Sequence, residues 1–200
     1  MWGVKMADAG DAGDAGDDAA EQHLYSKFNH IYFNSPITMT SAFKLNQLLR
    51  TTADEIKLIA FQTRAPILPI HLHITTYGGY IAAAWSTVDC IVNLGVPVYS
   101  VVDGIVASAG TLISLSCQKR FMRLNAYMMV HELSSSISGR MSEIQCETEN
   151  LKNLMEHLRK FYMNKTKLTS VDLDGILTKD VYWNAEDCIQ YGIVDEIYTQ

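Results

Sequence analysis

The stretch GVPVYSVVDGIVASAG, residues 95–110, reads as a buried strand that ends in a small-residue turn into a helix. Val96 to Val102 is a short apolar run rich in β-branched residues, as expected of a strand covered on both faces. Gly104 then turns the chain, and an apolar helix runs from about Ser108 to Cys117. The same alternation repeats outward. Upstream, Ile70-His71-Leu72-His73-Ile74 alternates as a strand, Gly78-Gly79 breaks it, and a helix spans about Tyr80 to Asn93 before Gly95. Further upstream, His30 to Phe33 is a strand closed by Asn34-Ser35-Pro36. Ser41 is placed to cap a helix through about Arg50, and residues 51–69 read as a mixed connection. Downstream, Phe121 to Leu124 and Tyr127 to His131 are strands. Residues 142–165 form the longest helix, with Ile144, Leu151, Leu154, Met155, Leu158, Phe161 and Tyr162 on its apolar stripe. Asn184, with Asp187 three residues on, starts a short helix that Gly192 stops, and Ile193 to Tyr198 is a last strand. Strands alternating with helices predict an α/β domain with mainly parallel pairing.

The 200 residues are 48% apolar, enough for one domain with a sizeable core. Charge is unevenly spread. Residues 1–21 hold six of the 22 acidic residues and one of the 16 basic ones, so this segment carries −5 of the net −6 and the remainder only −1. Its Asp-Ala-Gly repeat reads as a disordered acidic tail, leaving residues 22–200 as the folded domain. A nearly neutral body argues against a nucleic-acid surface, which needs clustered Lys and Arg. Neither an apolar signal-peptide core nor a membrane-length apolar run is present, so a cytoplasmic protein without a membrane partner is expected. Cys90, Cys117, Cys146 and Cys188 form no C-x-x-C pair and read as reduced core thiols rather than a zinc or disulfide framework.

Two segments place glycine, small residues and a nucleophile at a strand end. Tyr77-Gly78-Gly79 is either a tight turn or a set of uncovered amides at a helix N-terminus that favours negative charge. In Ala107-Ser108-Ala109-Gly110, small neighbours leave Ser108 room for a substrate and for N–H donors, or else make a close helix contact. Val106 stands where the nucleophile elbow G-x-S-x-G has its first glycine, so that motif is absent. Among the six histidines, His131 ends an apolar strand and is either a base projecting into a cleft or, as lone histidines more often are, a satisfied structural residue. His71 and His73 share a strand face and make half a metal site at most; no third ligand stands out. Asp103, Asp172, Asp174 and Asp180 are all open candidates to orient the imidazole.

In order and approximate spacing, Gly78-Gly79, Gly104-x-x-Ala107-Ser108-Ala109-Gly110, Met128-Met129-Val130-His131, Lys179-Asp180 and Ala185-Glu186 with Tyr191-Gly192-Ile193-Val194-Asp195 resemble the ClpP family of self-compartmentalising serine peptidases. The resemblance implies a crotonase-like α/β spiral of β-β-α units with a protruding handle at about residues 132–165. It implies Ser108 as nucleophile, His131 as general base, Asp180 as orienting acid, and the backbone N–H groups of Gly79 and Ala109 as the oxyanion hole. It implies a serine-type endopeptidase acting on polypeptides without cofactor or metal. Seven subunits would form a ring, two rings a tetradecameric chamber, and an AAA+ unfoldase would feed it. The chain departs from the family's usual pattern at Thr75-Thr76-Tyr77 before the glycines, at Ala109 after the nucleophile, and at Glu132-Leu133 after the histidine. A divergent member admits alternatives: an inactive scaffold subunit, a dedicated processing or capsid-maturation protease, or a crotonase-type acyl-CoA enzyme.

Overall fold

The computed structural model describes residues 23–199, so the Asp-Ala-Gly segment lies outside the described residues. Strands β1 (Leu24–Lys27) and β2 (His30–Asn34) form an antiparallel pair. From β2 the sheet continues in parallel through β3 (Ile70–Thr76), β4 (Val98–Ala107) and β5 (Lys119–Met122) to the short β8 (Glu196–Ile197). The strand expected from Ile193 to Tyr198 is thus much shorter. The helices are α1 (Met39–Thr63), α2 (Ile81–Val92), α3 (Ala109–Ser116), α4 (Met141–Lys165), α5 (Ser170–Ile176) and α6 (Ala185–Gln190).

β4 does not end at Gly104 as expected but runs on to Ala107. Its first half, Tyr99 to Val102, pairs with β5, whereas Ile105 to Ala107 pairs with β6 (Tyr127–Met129). β6 in turn pairs antiparallel with β7 (Tyr182–Trp183). The sheet therefore forks at Asp103-Gly104. Against β3 the register passes from Ile74↔Val102 to Thr76↔Val106, so β4 carries two extra residues at the fork. A bulge re-aims the strand there.

Two helix boundaries differ from expectation. Thr38, not Ser41, caps α1; Ser41 is the third helical residue and its hydroxyl accepts the Thr38 N–H at 2.9 Å. The helix continues to Thr63 through the segment expected as a connection, because Thr52, Ala53, Ile56 and Ala60 prolong its buried face. Its core side is built largely of small residues, which apolar periodicity under-reports. α5 was not anticipated, although Thr169 and Asp172 make the reciprocal cap that marks its start.

The core lies between the sheet and α1, α2 and α3, with Phe33, Leu45, Leu49, Leu72, Ile74 and Leu112 at its centre. α4 behaves differently. Its 25 residues span about 37 Å, yet only Leu158 and Tyr162 are buried. Leu154, Met155 and Phe161 are half-buried, and the N-terminal turns project from the body. Cys90, Cys117 and Cys188 are buried free thiols, and burial pushes those of Cys117 and Cys188 up to about 12. Cys146, on the projecting part of α4, is exposed and so is not a core thiol. None of the described helices is long and apolar enough to cross a membrane.

The sheet face away from the core carries a ring ladder. Register sets His30 beside His71 and Tyr32 beside His73, with ring centroids 4.8 and 4.4 Å apart. Asp103 accepts from His73 Nδ1 at 2.8 Å and from Arg123 Nε at 3.0 Å. His73 Nε2 is then the acceptor, and His30 Nδ1 donates to it at 3.0 Å. The buried Nδ1 of His71 has no partner. Burial, reinforced by the neighbouring imidazoles, lowers the pKa of both His30 and His71. Burial pushes the Asp103 carboxyl up, but His73 and Arg123 outweigh it and hold the carboxyl below its usual value. The unfolded chain therefore binds more protons than the folded one just below the ordinary histidine value of 6.5. Stability is expected to fall as pH drops from 7.5 through 6.5 towards 5. His71→Phe removes one of these protonation sites and an orphaned nitrogen. Thermal melts should show it more stable at pH 7 by about 1 kcal/mol, with a shallower acid decline. A variant less stable than wild type at both pH values would contradict this.

Candidate active site

Ser108, His131, Asp180, Gly79 and Ala109 gather at the C-terminal edge of the parallel strands, where open α/β sheets place their sites. β4 ends at Ala107, and Ser108 forms the sharp link into α3 with φ 57° and ψ −129°. This is a strained conformation for a residue with a side chain, and such strain persists only where surroundings over-determine it. Here the Ser108 N–H donates to the Met129 carbonyl of β6 at 2.9 Å. The Ser108 carbonyl accepts from the Thr111 N–H at 3.0 Å and from Thr111 Oγ1 at 2.6 Å. Gly78 packs directly on it: a Cβ at Gly78 would lie 2.6 Å from the Ser108 Cβ and 3.1 Å from the Ala109 nitrogen.

Antiparallel register explains why His131 and Asp180 meet. Met128 pairs with Trp183 and Met129 with Tyr182, so continuing the ladder sets residue 131 opposite residue 180. His131 Nδ1 lies 3.3 Å from Asp180 Oδ1, with side-chain exposures of 11% and 73%. The Glu132 N–H donates to the Leu177 carbonyl at 2.9 Å and ties the two segments together just beyond them. The other acids are engaged elsewhere. Asp103 holds His73 and Arg123, Asp172 caps α5, and Asp174 accepts from Arg159 at 2.7 Å. His157 packs against Trp85, and His71 and His73 belong to the ladder. Among the described residues no group of three or more His, Cys, Asp or Glu is arranged to hold a metal ion.

His131 and Asp180 line a cleft of about 670 Å³ together with Pro36, Thr75, Tyr77, Met129 and Tyr182. Ser108 does not line it; its Oγ is enclosed and has no hydrogen-bond partner, so it is not donated to His131 in this structure. An orphaned buried hydroxyl in a strained residue is the kind of exception that calls for an explanation, and nucleophile duty is one. Two amides flank the contact between Gly78 and Ser108. Ala109 opens α3, so its N–H has no acceptor within the helix. In the facing turn, Gly78 donates to Thr76 Oγ1 at 3.1 Å and Tyr80 to the Ile37 carbonyl at 2.8 Å, which leaves the Gly79 N–H between them unused.

Tyr182 was not singled out from sequence, and Tyr77 was named only as part of the turn that leads into the two glycines. For Tyr182 the signal was present: it stands two residues after Asp180 and so shares its strand face.

The arrangement has relatives. The family model for Clp protease matches residues 19–200. The ATP-dependent Clp protease proteolytic subunit 2 of Treponema denticola is 27% identical over 143 residues, 70% of this chain and 72% of that protein. A ClpP1 mutant from Listeria monocytogenes has the same fold, with a TM-score of 0.70 at 24% identity over 84% of this chain and 89% of that one.

Proposed function

The chain belongs to the Clp protease family, and on that premise we propose that it is a serine endopeptidase that cleaves unfolded polypeptide through an acyl-enzyme on Ser108. The observation that carries this reading is the 3.3 Å approach of Asp180 to His131 beside the strained turn of Ser108. His131 takes the Ser108 hydroxyl proton as Oγ attacks the scissile carbonyl. Asp180 holds the imidazole with Nδ1–H towards itself, so that Nε2 is the base. The Gly79 and Ala109 amides stabilise the tetrahedral oxyanion. His131 then returns the proton to the leaving amine, and water hydrolyses the ester. The enclosed Oγ must first turn towards His131, a tightening that such sites undergo on substrate binding.

Cleft and surface support the substrate and the assembly. Tyr77 and Tyr182 line the rim with about half or more of each ring exposed, which suits extended peptide with apolar side chains. Leu58, Ile59 and Phe61 of α1, with Ile67 and Leu68 just beyond it, are exposed apolar side chains of the kind that mark association surfaces. We propose that this surface and α4 are covered in a ring of like subunits, by the family's heptameric pattern, with a AAA+ unfoldase as supplier of substrate. The enclosed Ser108 Oγ favours one other reading, a scaffold subunit without activity of its own.

Purified protein given a fluorogenic peptide and an unfolded protein, with native mass spectrometry on the same sample, separates the two readings. Turnover by assembled rings supports the peptidase; rings without turnover of either substrate support the scaffold. Asp180→Asn is expected to lower kcat. Loss of the orienting acid costs on the order of 10⁴-fold where that acid is buried. Asp180 is 73% exposed on its side chain, so a smaller loss of roughly 10²–10³-fold is expected. An unchanged kcat would remove Asp180 from the mechanism.

A further inference from the structure

Two hydroxyls far apart in sequence meet behind the nucleophile. Tyr162 Oη on α4 lies 2.6 Å from Thr111 Oγ1 on α3, and Thr111 Oγ1 lies 2.6 Å from the Ser108 carbonyl oxygen. Both residues are fully buried, so no solvent competes for these bonds. The direction of the chain is fixed by proton count. A carbonyl only accepts, so Thr111 spends its one hydroxyl proton on Ser108. In the remaining contact Tyr162 is therefore the donor. Burial raises the phenol's pKa far enough to keep that proton in place.

We propose that Tyr162 is a positioning residue for Ser108, its hydroxyl orienting Thr111 so that Thr111 fixes the carbonyl of the strained nucleophile turn. This rests on the serine-peptidase reading and adds to it a residue of α4 that touches neither substrate nor reacting atoms. The strained φ of 57° at Ser108 is held by three groups besides packing. They are the Met129 carbonyl, the Thr111 amide and the Thr111 hydroxyl. Of these, the hydroxyl alone is free to rotate away. A threonine hydroxyl that only donates is free to rotate away from its acceptor, and Tyr162 removes that freedom by occupying Oγ1 as an acceptor. The direction of the Ser108 Oγ follows its backbone, so a loosened carbonyl spreads the nucleophile over orientations away from His131.

The test uses the full chain in its assembled form with Tyr162→Phe, Thr111→Val, Thr111→Ser and the Phe/Val double variant. Each is measured for kcat and KM on a fluorogenic peptide, for the rate of labelling by a fluorophosphonate, for Tm, and for amide hydrogen exchange at Ser108. Tyr162→Phe and Thr111→Val should each lower kcat and the labelling rate by about tenfold, with KM unchanged. The double variant should be no slower than either single one, Thr111→Ser should retain wild-type rates, and exchange at Ser108 should quicken in Tyr162→Phe. Wild-type labelling rates in Tyr162→Phe overturn the proposal. So does a loss that Thr111→Ser shares with Thr111→Val, or one that scales with Tm and assembly across the set, since either marks a packing effect. A wild-type protein that the probe never labels overturns the peptidase reading and this one with it. A labelled wild type matched by Tyr162→Phe overturns this one alone.

Discussion

Gly79→Ala is expected to lose stability and activity together. Gly79 has φ 148°, and a Cβ there would fall inside the van der Waals envelope of the Ile37 carbonyl. The neighbour cannot yield. Ile37 is clamped to this turn by its own N–H to the Gly78 carbonyl and by its carbonyl to the Tyr80 N–H, both at 2.8 Å. Relief requires breaking that bridge, which ties the start of α1 to the start of α2. A loss of about 3 kcal/mol or more follows, with Tm lower by roughly 6–12 °C. The same shift moves the Gly79 amide from any oxyanion, so residual folded protein should turn over at least about 100-fold more slowly. Gly104→Ala is the contrast. Its nearest neighbours, the Cγ2 and Oγ1 of Thr75, would be 3.6 Å from an added Cβ, so Tm should stay close to wild type. Equal melts for the two alanine variants would contradict the account of the turn.

Replacing Ser108 should affect activity and stability in opposite directions. Ser108→Ala removes the attacking oxygen, and losses of roughly 10³–10⁶-fold in kcat are usual when a triad serine is deleted. It also removes a buried hydroxyl without a hydrogen-bond partner, so stability should hold or rise. Ser108→Gly additionally relieves the backbone strain at φ 57° and should melt higher still. A serine kept for packing alone would give the reverse pattern, with unchanged chemistry and lower Tm. Calorimetry of the two variants beside peptide turnover distinguishes the cases.

The candidate site was legible where its logic is local. The short α6 announced itself by Asn184 and Asp187, and the structure has Asn184 Oδ1 accepting the Asp187 N–H at 3.0 Å. The long α4 followed from its apolar stripe, and only its start moved, by a single residue. What was not legible depends on partners distant in sequence. The strand through Gly104 persists because its second half finds β6, some twenty residues on. The run of α1 to Thr63 depends on small side chains such as Ala53 and Ala60 facing the core, which carry little hydrophobic signal. Without the family resemblance, choosing among four aspartates needed the β6–β7 register, since each of the other three is a reasonable loop acid until its own partner is seen. His30 could not be joined to His71 and His73 without the β2–β3 pairing. The contact between Thr111 and Tyr162 spans 51 residues and leaves no trace in either local pattern.

The proposed function makes Ser108 a nucleophile activated by His131 and Asp180. Site-resolved mass spectrometry after fluorophosphonate treatment of the assembled protein tests it most directly. One phosphonyl adduct is expected, on the peptide carrying Ser108, formed much more slowly in His131→Ala and absent in Ser108→Ala. No adduct on assembled wild-type protein, or one on another residue that persists in Ser108→Ala, would contradict it.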